Sequence, residues 1–167
     1  MTVNKKANID FNSNSEVKTI GDYEFHFQCE IEPKLQEDGC VEKFYPQPEY
    51  KNKKALPLHE YGEGAFCKFS VCLPENSGVY LMVVDKIIVY IGETYNLRER
   101  FNNGYGNISP RNCYKGGQST NCRINKNVLT LCKEGKKVRI YVYITDERKH
   151  VERKLISLVN PPWNKKR

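Results

Sequence analysis

From Tyr23 the chain alternates cleanly, with Tyr23, Phe25, Phe27, Cys29 and Ile31 on one side and Glu24, His26, Gln28 and Glu30 on the other. A period of two predicts a half-buried strand, and Pro33 ends it. Ala65, Cys67, Phe69, Val71 and Leu73 repeat the pattern, after a Pro- and Gly-punctuated loop over residues 45–64. The stretch GVYLMVVDKIIVYIG, Gly78 to Gly92, carries two further alternating sets: Val79, Leu81 and Val83, then Ile87, Val89 and Ile91. Together they predict a β-hairpin with one aliphatic face. Its register decides where two tyrosines go. A two-residue turn at Asp85-Lys86 pairs residue 81 with 90 and buries Tyr90 among the aliphatics. A three-residue loop at 84–86 pairs 83 with 87 and 80 with 90, which keeps the six aliphatics together and sets Tyr80 across from Tyr90 on the other, less greasy face. The second register is the expectation.

Helical spacing takes over afterwards. Asn96 followed by Glu99 resembles a capping box, so a short helix is expected from Leu97 to a point before Gly104, burying Leu97 and Phe101. Arg98 and Arg100 flank that stripe on opposite sides, and periodicity alone does not choose between them. A second helix is expected from about Asn125 to Lys133. In KVRIYVYI, residues 137–144, Val138, Ile140, Val142 and Ile144 share a side and complete the sheet. Val151, Leu155, Leu158 and Val159 form a helical apolar stripe, with Glu152 in a neighbouring row beside Ile156 and Val159. Pro161-Pro162 end that helix. The fold class expected is α/β: a small three-stranded, mainly antiparallel sheet flanked by helices, with a β-rich N-terminal extension. The divisions are a flexible N-terminus over 1–18, the β-rich extension over 19–77, and the main domain over 78–167.

Charge changes this picture by half. Residues 1–77 hold 9 Lys or Arg against 13 Asp or Glu, whereas residues 78–167 hold 18 against 7. The C-terminal half faces a polyanion. Seven cysteines without a CxxC pair, and no apolar signal core at the N-terminus, fit reduced thiols in a cytoplasmic protein better than a disulfide framework or a structural zinc site. No run of about 18 apolar residues is present to span a membrane.

The order Gly78-Val79-Tyr80, Tyr90-Ile91-Gly92, Asn96-Leu97 and Arg100, with Glu152 and Asn164 further on, resembles the GIY-YIG nuclease superfamily. Val79 in place of Ile is the one departure in the two tripeptides. The resemblance covers residues 78–164, and the compact form is similar to stand-alone restriction-type members. It implies a metal-dependent endonuclease that hydrolyses phosphodiester bonds of double-stranded DNA. Glu152 would bind Mg²⁺, or another divalent cation such as Mn²⁺, and Asn164 would return to the site behind a helix exit anchored by Trp163. Arg100 would supply fixed donors to the non-bridging phosphate oxygens. Tyr80, with Tyr90 beside it, would position or deprotonate the attacking water. A free phenol has a pKa near about 10, so that role needs local positive charge. Family members often carry His or Tyr four residues after the arginine, where this chain has Gly104 and then Tyr105.

Residues 105–125, YGNISPRNCYKGGQSTNCRIN, interleave Arg111, Lys115 and Arg123 with amides, hydroxyls and Tyr114. Such a mixture offers phosphate donors and groups able to read base edges, and reads as a DNA-contacting insertion. Arg98, Tyr105, Arg111, Lys115 and Arg123 are accordingly the candidate nucleic-acid contacts, and Lys165-Lys166-Arg167 add attraction without specificity. Cutting both strands would call for two active sites and hence a homodimer. The competing readings are a non-catalytic DNA-binding protein on the same scaffold and a structure-specific or mobile-element nuclease.

Overall fold

A computed structural model describes residues 16–165, and the chain within it forms two compact units. Among the described residues, the first comprises 16–30, 73–97 and 138–165, the second 31–72 and 98–137. Each therefore draws on sequence from both sides of position 78.

The first unit is built on a five-stranded sheet, not the three-stranded one expected. Its strands are β1 (Val17–Ile20), β2 (Tyr23–Ile31), β5 (Gly78–Val84), β6 (Ile87–Thr94) and β7 (Val138–Ile144), in the spatial order β1-β2-β7-β5-β6. The extra pair comes from the N-terminal extension, which pairs with β7 on the edge away from β5. A two-sided β7 leaves no unpaired ladder on that edge. Most of the 1–18 stretch lies outside the described residues. Val17 and Lys18, however, open β1, and Lys18 is 3% exposed with its ammonium 5.3 Å from the Tyr141 ring centroid.

The hairpin of β5 and β6 solves the register in a third way. The turn is the two-residue one, with Asp85 and Lys86 both at positive φ (47° and 69°), so Val84 pairs with Ile87 and Val83 with Ile88. The register then shifts, so that Met82 faces Tyr90 and Tyr80 faces Gly92. Val89 is the residue left over, a β-bulge. Tyr80 lies diagonally from Tyr90 and not directly opposite it. The two-residue turn puts Ile88 on the core face with Val83 and leaves Ile87 56% exposed, and the bulge then brings Ile91 to that same face with Val79 and Leu81.

That core includes Phe25, Tyr141, Val151 and Leu155. The last two come from α3 (Arg148–Val159), which packs against β5 and β6. Leu158, expected in its stripe, is 46% exposed, and Ile156 and Val159 take its place at the margin of the core. The opposite face of the sheet is no less apolar. Tyr80 and Met82 sit across from Val142 and Ile140 of β7, and every residue of β5 is buried.

The second unit has a two-stranded sheet, β3 (Lys43–Phe44) with β4 (Phe66–Cys67), and two helices. The first, α1, starts at Leu97 as expected, but after Glu99 it widens into a π-helical turn over Arg100–Tyr105. The second, α2 (Ser119–Lys133), begins six residues before the expected Asn125. Cys122 packs with Phe66, Ile108, Cys113 and Tyr114, so this part of the 105–125 segment is core. Burial raises the Cys67 thiol to about 12, while the interaction between the neighbouring Cys113 and Cys122 thiols, together with burial, pushes Cys122 up and the same interaction pulls Cys113 down.

Two predictions follow from these elements. Lys86→Gly, which removes a side chain from the left-handed region of an exposed turn, raises stability by about 0.5 kcal/mol or more in urea unfolding. Alkylation at pH 8 modifies Cys40 and Cys72 first, both exposed, and reaches the buried Cys67, Cys113 and Cys122 only after unfolding, as peptide mass mapping would read.

Candidate active site

Two glycines explain why the hairpin takes the form it does. A Cβ on Gly78 would lie 2.6 Å from the Tyr143 carbonyl oxygen of β7, and one on Gly92 would lie 2.3 Å from the Tyr80 phenol oxygen. Neither approach leaves room for a methyl group. Tyr80 is wholly buried, with its phenol laid over the Gly92 backbone, and its ring centroid is 6.2 Å from that of Tyr90, which is 7% exposed. The structure therefore brings the two tyrosines onto one face, as the sequence led one to expect, by way of the bulge.

Asn164 does return to β6, but to its edge. Its Oδ1 accepts from the Ile91 N–H at 2.9 Å and its Nδ2 donates to the Ile91 carbonyl at 2.8 Å. Trp163 N–H donates to the carbonyl of the bulged Val89 at 2.8 Å. The tail after α3 thus covers part of an edge strand that would otherwise present open ladder groups. With both amide groups given to Ile91, Asn164 holds in place the backbone between Tyr90 and Gly92.

Glu152 is half-buried on α3. One turn before it, Arg148 reaches β6 and pairs with Glu93 at 3.1 Å, so the row shared by residues 148 and 152 borders the strand that carries Tyr90. Among the described residues, no three His, Cys, Asp or Glu side chains gather into a group able to hold a metal. Glu152 belongs to no such group, so it does not form a caged structural metal site; a lone carboxylate suits only a hard ion that keeps most of its waters.

In the second unit the π-helical turn has a specific effect on Arg100. An α-helix would place residue 104 one turn after it, and residue 104 is a glycine. The wider turn puts Tyr105 there instead, with the Arg100 guanidinium carbon 4.4 Å from its ring centroid. Tyr105 is fully buried and stacked edge-on against Phe101, with centroids 5.4 Å apart. As a direct contact to nucleic acid it is ruled out by that burial; its place is beneath the arginine. Asn125 fixes the end of this turn. Its Nδ2 donates to the carbonyls of Tyr105 (2.7 Å) and Cys67 (2.8 Å), and its Oδ1 accepts from Cys67 N–H at 3.0 Å.

The remaining candidates divide. Arg111 donates through Nη1 to the carbonyls of Tyr114 and Lys115, at 3.4 and 3.1 Å, and so closes its own loop. Lys115 and Arg98 are exposed and Arg123 is half-buried. The sequence reading passed over Asn121 and Asn125, which are 2% and 0% exposed on α2. The signal was their i, i+4 spacing amid Cys122, Ile124, Val128 and Leu129, a pattern that marks polar side chains on a buried face.

Among solved structures, that of a mutant of bacteriophage T4 EndoII is similar to this chain at 27% identity and a TM-score of 0.48, over 66% of this chain and 87% of that one. No protein-family model matches the chain, and no curated protein matches it.

Gly92→Ala should lose about 1–3 kcal/mol in urea unfolding, because the Tyr80 ring must leave its seat. Gly104→Ala serves as the contrast: its methyl would meet nothing closer than 3.7 Å, and stability should hold or rise.

Proposed function

We propose that this chain is a nuclease, a phosphodiester hydrolase acting on DNA. The observation that carries the reading is the hairpin itself: Tyr80 and Tyr90 share one face with centroids 6.2 Å apart, and the motif glycine Gly92 is there because the Tyr80 phenol lies on it. A structural hairpin does not require that arrangement, whereas the GIY-YIG motif that this chain resembles does. Within that reading the particular activity is that of a divalent-cation-dependent endonuclease of restriction type, cutting double-stranded DNA.

Each side chain then has a definite task. Tyr90, the less buried of the two phenols, positions the attacking water, with the wholly buried Tyr80 packed behind it. Arg100, with its guanidinium set over Tyr105, offers a fixed fork of donors to the non-bridging oxygens. Glu152 holds the divalent ion, which when bound supplies positive charge to the phosphoryl oxygens and the leaving oxygen. Asn164 keeps β6 in register by holding Ile91. The excess of 18 basic over 7 acidic residues in 78–167 attracts the polyanion, with exposed Arg98 and Lys115 and half-buried Arg123 as its nearest partners in the reading. Two such sites in a homodimer would cut both strands.

The test is incubation of purified protein with mixed-sequence duplex DNA, with Mg²⁺ or with EDTA. Wild type should give discrete fragments with Mg²⁺ and none with EDTA. Glu152→Ala and Arg100→Ala should each cut at least about 100-fold more slowly while keeping the wild-type melting temperature within a few degrees. DNA binding without cutting across many sequences would turn the reading into that of a non-catalytic DNA-binding protein. Cutting by Glu152→Ala at the wild-type rate would remove Glu152 from the site.

A further inference from the structure

Asn121 is 2% exposed, and its carbonyl oxygen Oδ1 has no hydrogen-bond partner among the described residues, although its Nδ2 donates to Gln118 Oε1 at 2.9 Å. A buried amide oxygen left unpaired destabilises a fold, and native proteins keep few of them. Asn125, one turn further along α2, shows the ordinary solution: its Oδ1 and Nδ2 are both satisfied, by the backbone of Cys67 and Tyr105. The unpaired oxygen therefore calls for its own explanation.

Its surroundings supply one. A Cβ built on Gly104 would lie 3.7 Å from both Oδ1 and Nδ2 of Asn121 and 3.8 Å from Cδ of Arg100. Asn121 and the stem of Arg100 thus border the same small space, kept clear by the glycine. The π-helical turn closes it on another side by placing Tyr105 against the guanidinium. A guanidinium has five N–H donors in a rigid fork, and a bidentate phosphate uses two of them. The others need acceptors once the phosphate has displaced water from the arginine.

We propose that Asn121 is a positioning residue for Arg100: when a phosphodiester engages the guanidinium, Asn121 Oδ1 accepts one of its remaining N–H groups and fixes the plane of the fork over Tyr105. The inference rests on the reading of Arg100 as the phosphate ligand. It gives the stability cost at Asn121 a functional return, the kind of exchange made at sites where activity depends on a preorganised donor.

Two variants separate this role from a structural one. Asn121→Leu keeps the approximate volume and removes the oxygen. Asn121→Asp keeps an acceptor towards Arg100, and its second oxygen can take an N–H from Gln118 once that amide turns over. On mixed-sequence duplex DNA with Mg²⁺, Asn121→Leu should lower kcat/KM by about 10- to 100-fold, with a Tm no more than about 2 °C below wild type. Asn121→Asp should stay within about fivefold of wild type. Wild-type kcat/KM in the leucine variant would overturn the inference, and so would equal losses in both variants accompanied by lowered Tm, since the amide would then serve the fold alone. A wild type that cuts no DNA would defeat the nuclease reading and leave this one to duplex binding by the same variants. There, weaker binding by Asn121→Leu but not by Asn121→Asp would uphold the inference, and unchanged binding by both would end it.

Discussion

A single extra residue in an edge strand governs the first unit. With the two-residue turn at Asp85-Lys86 and no bulge, Tyr90 would fall among the aliphatic side chains. Val89 takes up that extra position, and from there on every side chain of β6 changes face. Tyr90 and Gly92 then share a face with Tyr80, Ile91 enters the core beside Leu81, and Glu93 turns to the side on which Arg148 of α3 meets it. The bulged carbonyl is itself used, as an acceptor for Trp163 N–H. Core, helix docking and tail attachment all follow from where this residue sits.

The helix that starts at Leu97 uses the same device. Its π-helical turn also adds one residue to a regular repeat, and there too the result is that an aromatic side chain is re-aimed: Tyr105 arrives beneath Arg100, where normal spacing would have left Gly104. Irregularities of both kinds are commoner at functional sites than elsewhere. In this chain each acts on a residue of the motif, one on Tyr90 and the other on the surroundings of Arg100. Both interrupt a regular hydrogen-bond repeat, and at the bulge the freed Val89 carbonyl is taken up by Trp163 N–H.

Polar groups inside the second unit show how closely such costs are controlled. Asn125 ties α2 to β4 and to the end of the π-helical turn with three hydrogen bonds to backbone. Asn121 lies on the same helix face, its oxygen without a partner among the described residues, where α2 borders Arg100 and Gly104. Burial makes a satisfied amide a strong fastener and an unsatisfied one a liability, so these two asparagines, one turn apart, differ in what they contribute to the fold.

The sequence by itself determined the local periods and their punctuation. The alternation at Tyr23–Ile31, the two arms of the hairpin, the start of a helix at Leu97 and the stripe around Val151 and Leu155 were all legible, because each follows from residues a few positions apart. So were the motif residues, which are defined by order along the chain. What tertiary structure decided was everything that needed a partner from elsewhere. The extension joins the sheet because β7 has a second edge to fill, and the 105–125 segment becomes core because Cys122 meets Phe66 and Ile108. One-residue insertions were equally out of reach, since a bulge or a π-helical turn leaves the composition of a window unchanged while reversing which side a residue faces. The faces of Tyr90 and Tyr105 are set by packing across strands and between helices, and only the folded chain contains that information.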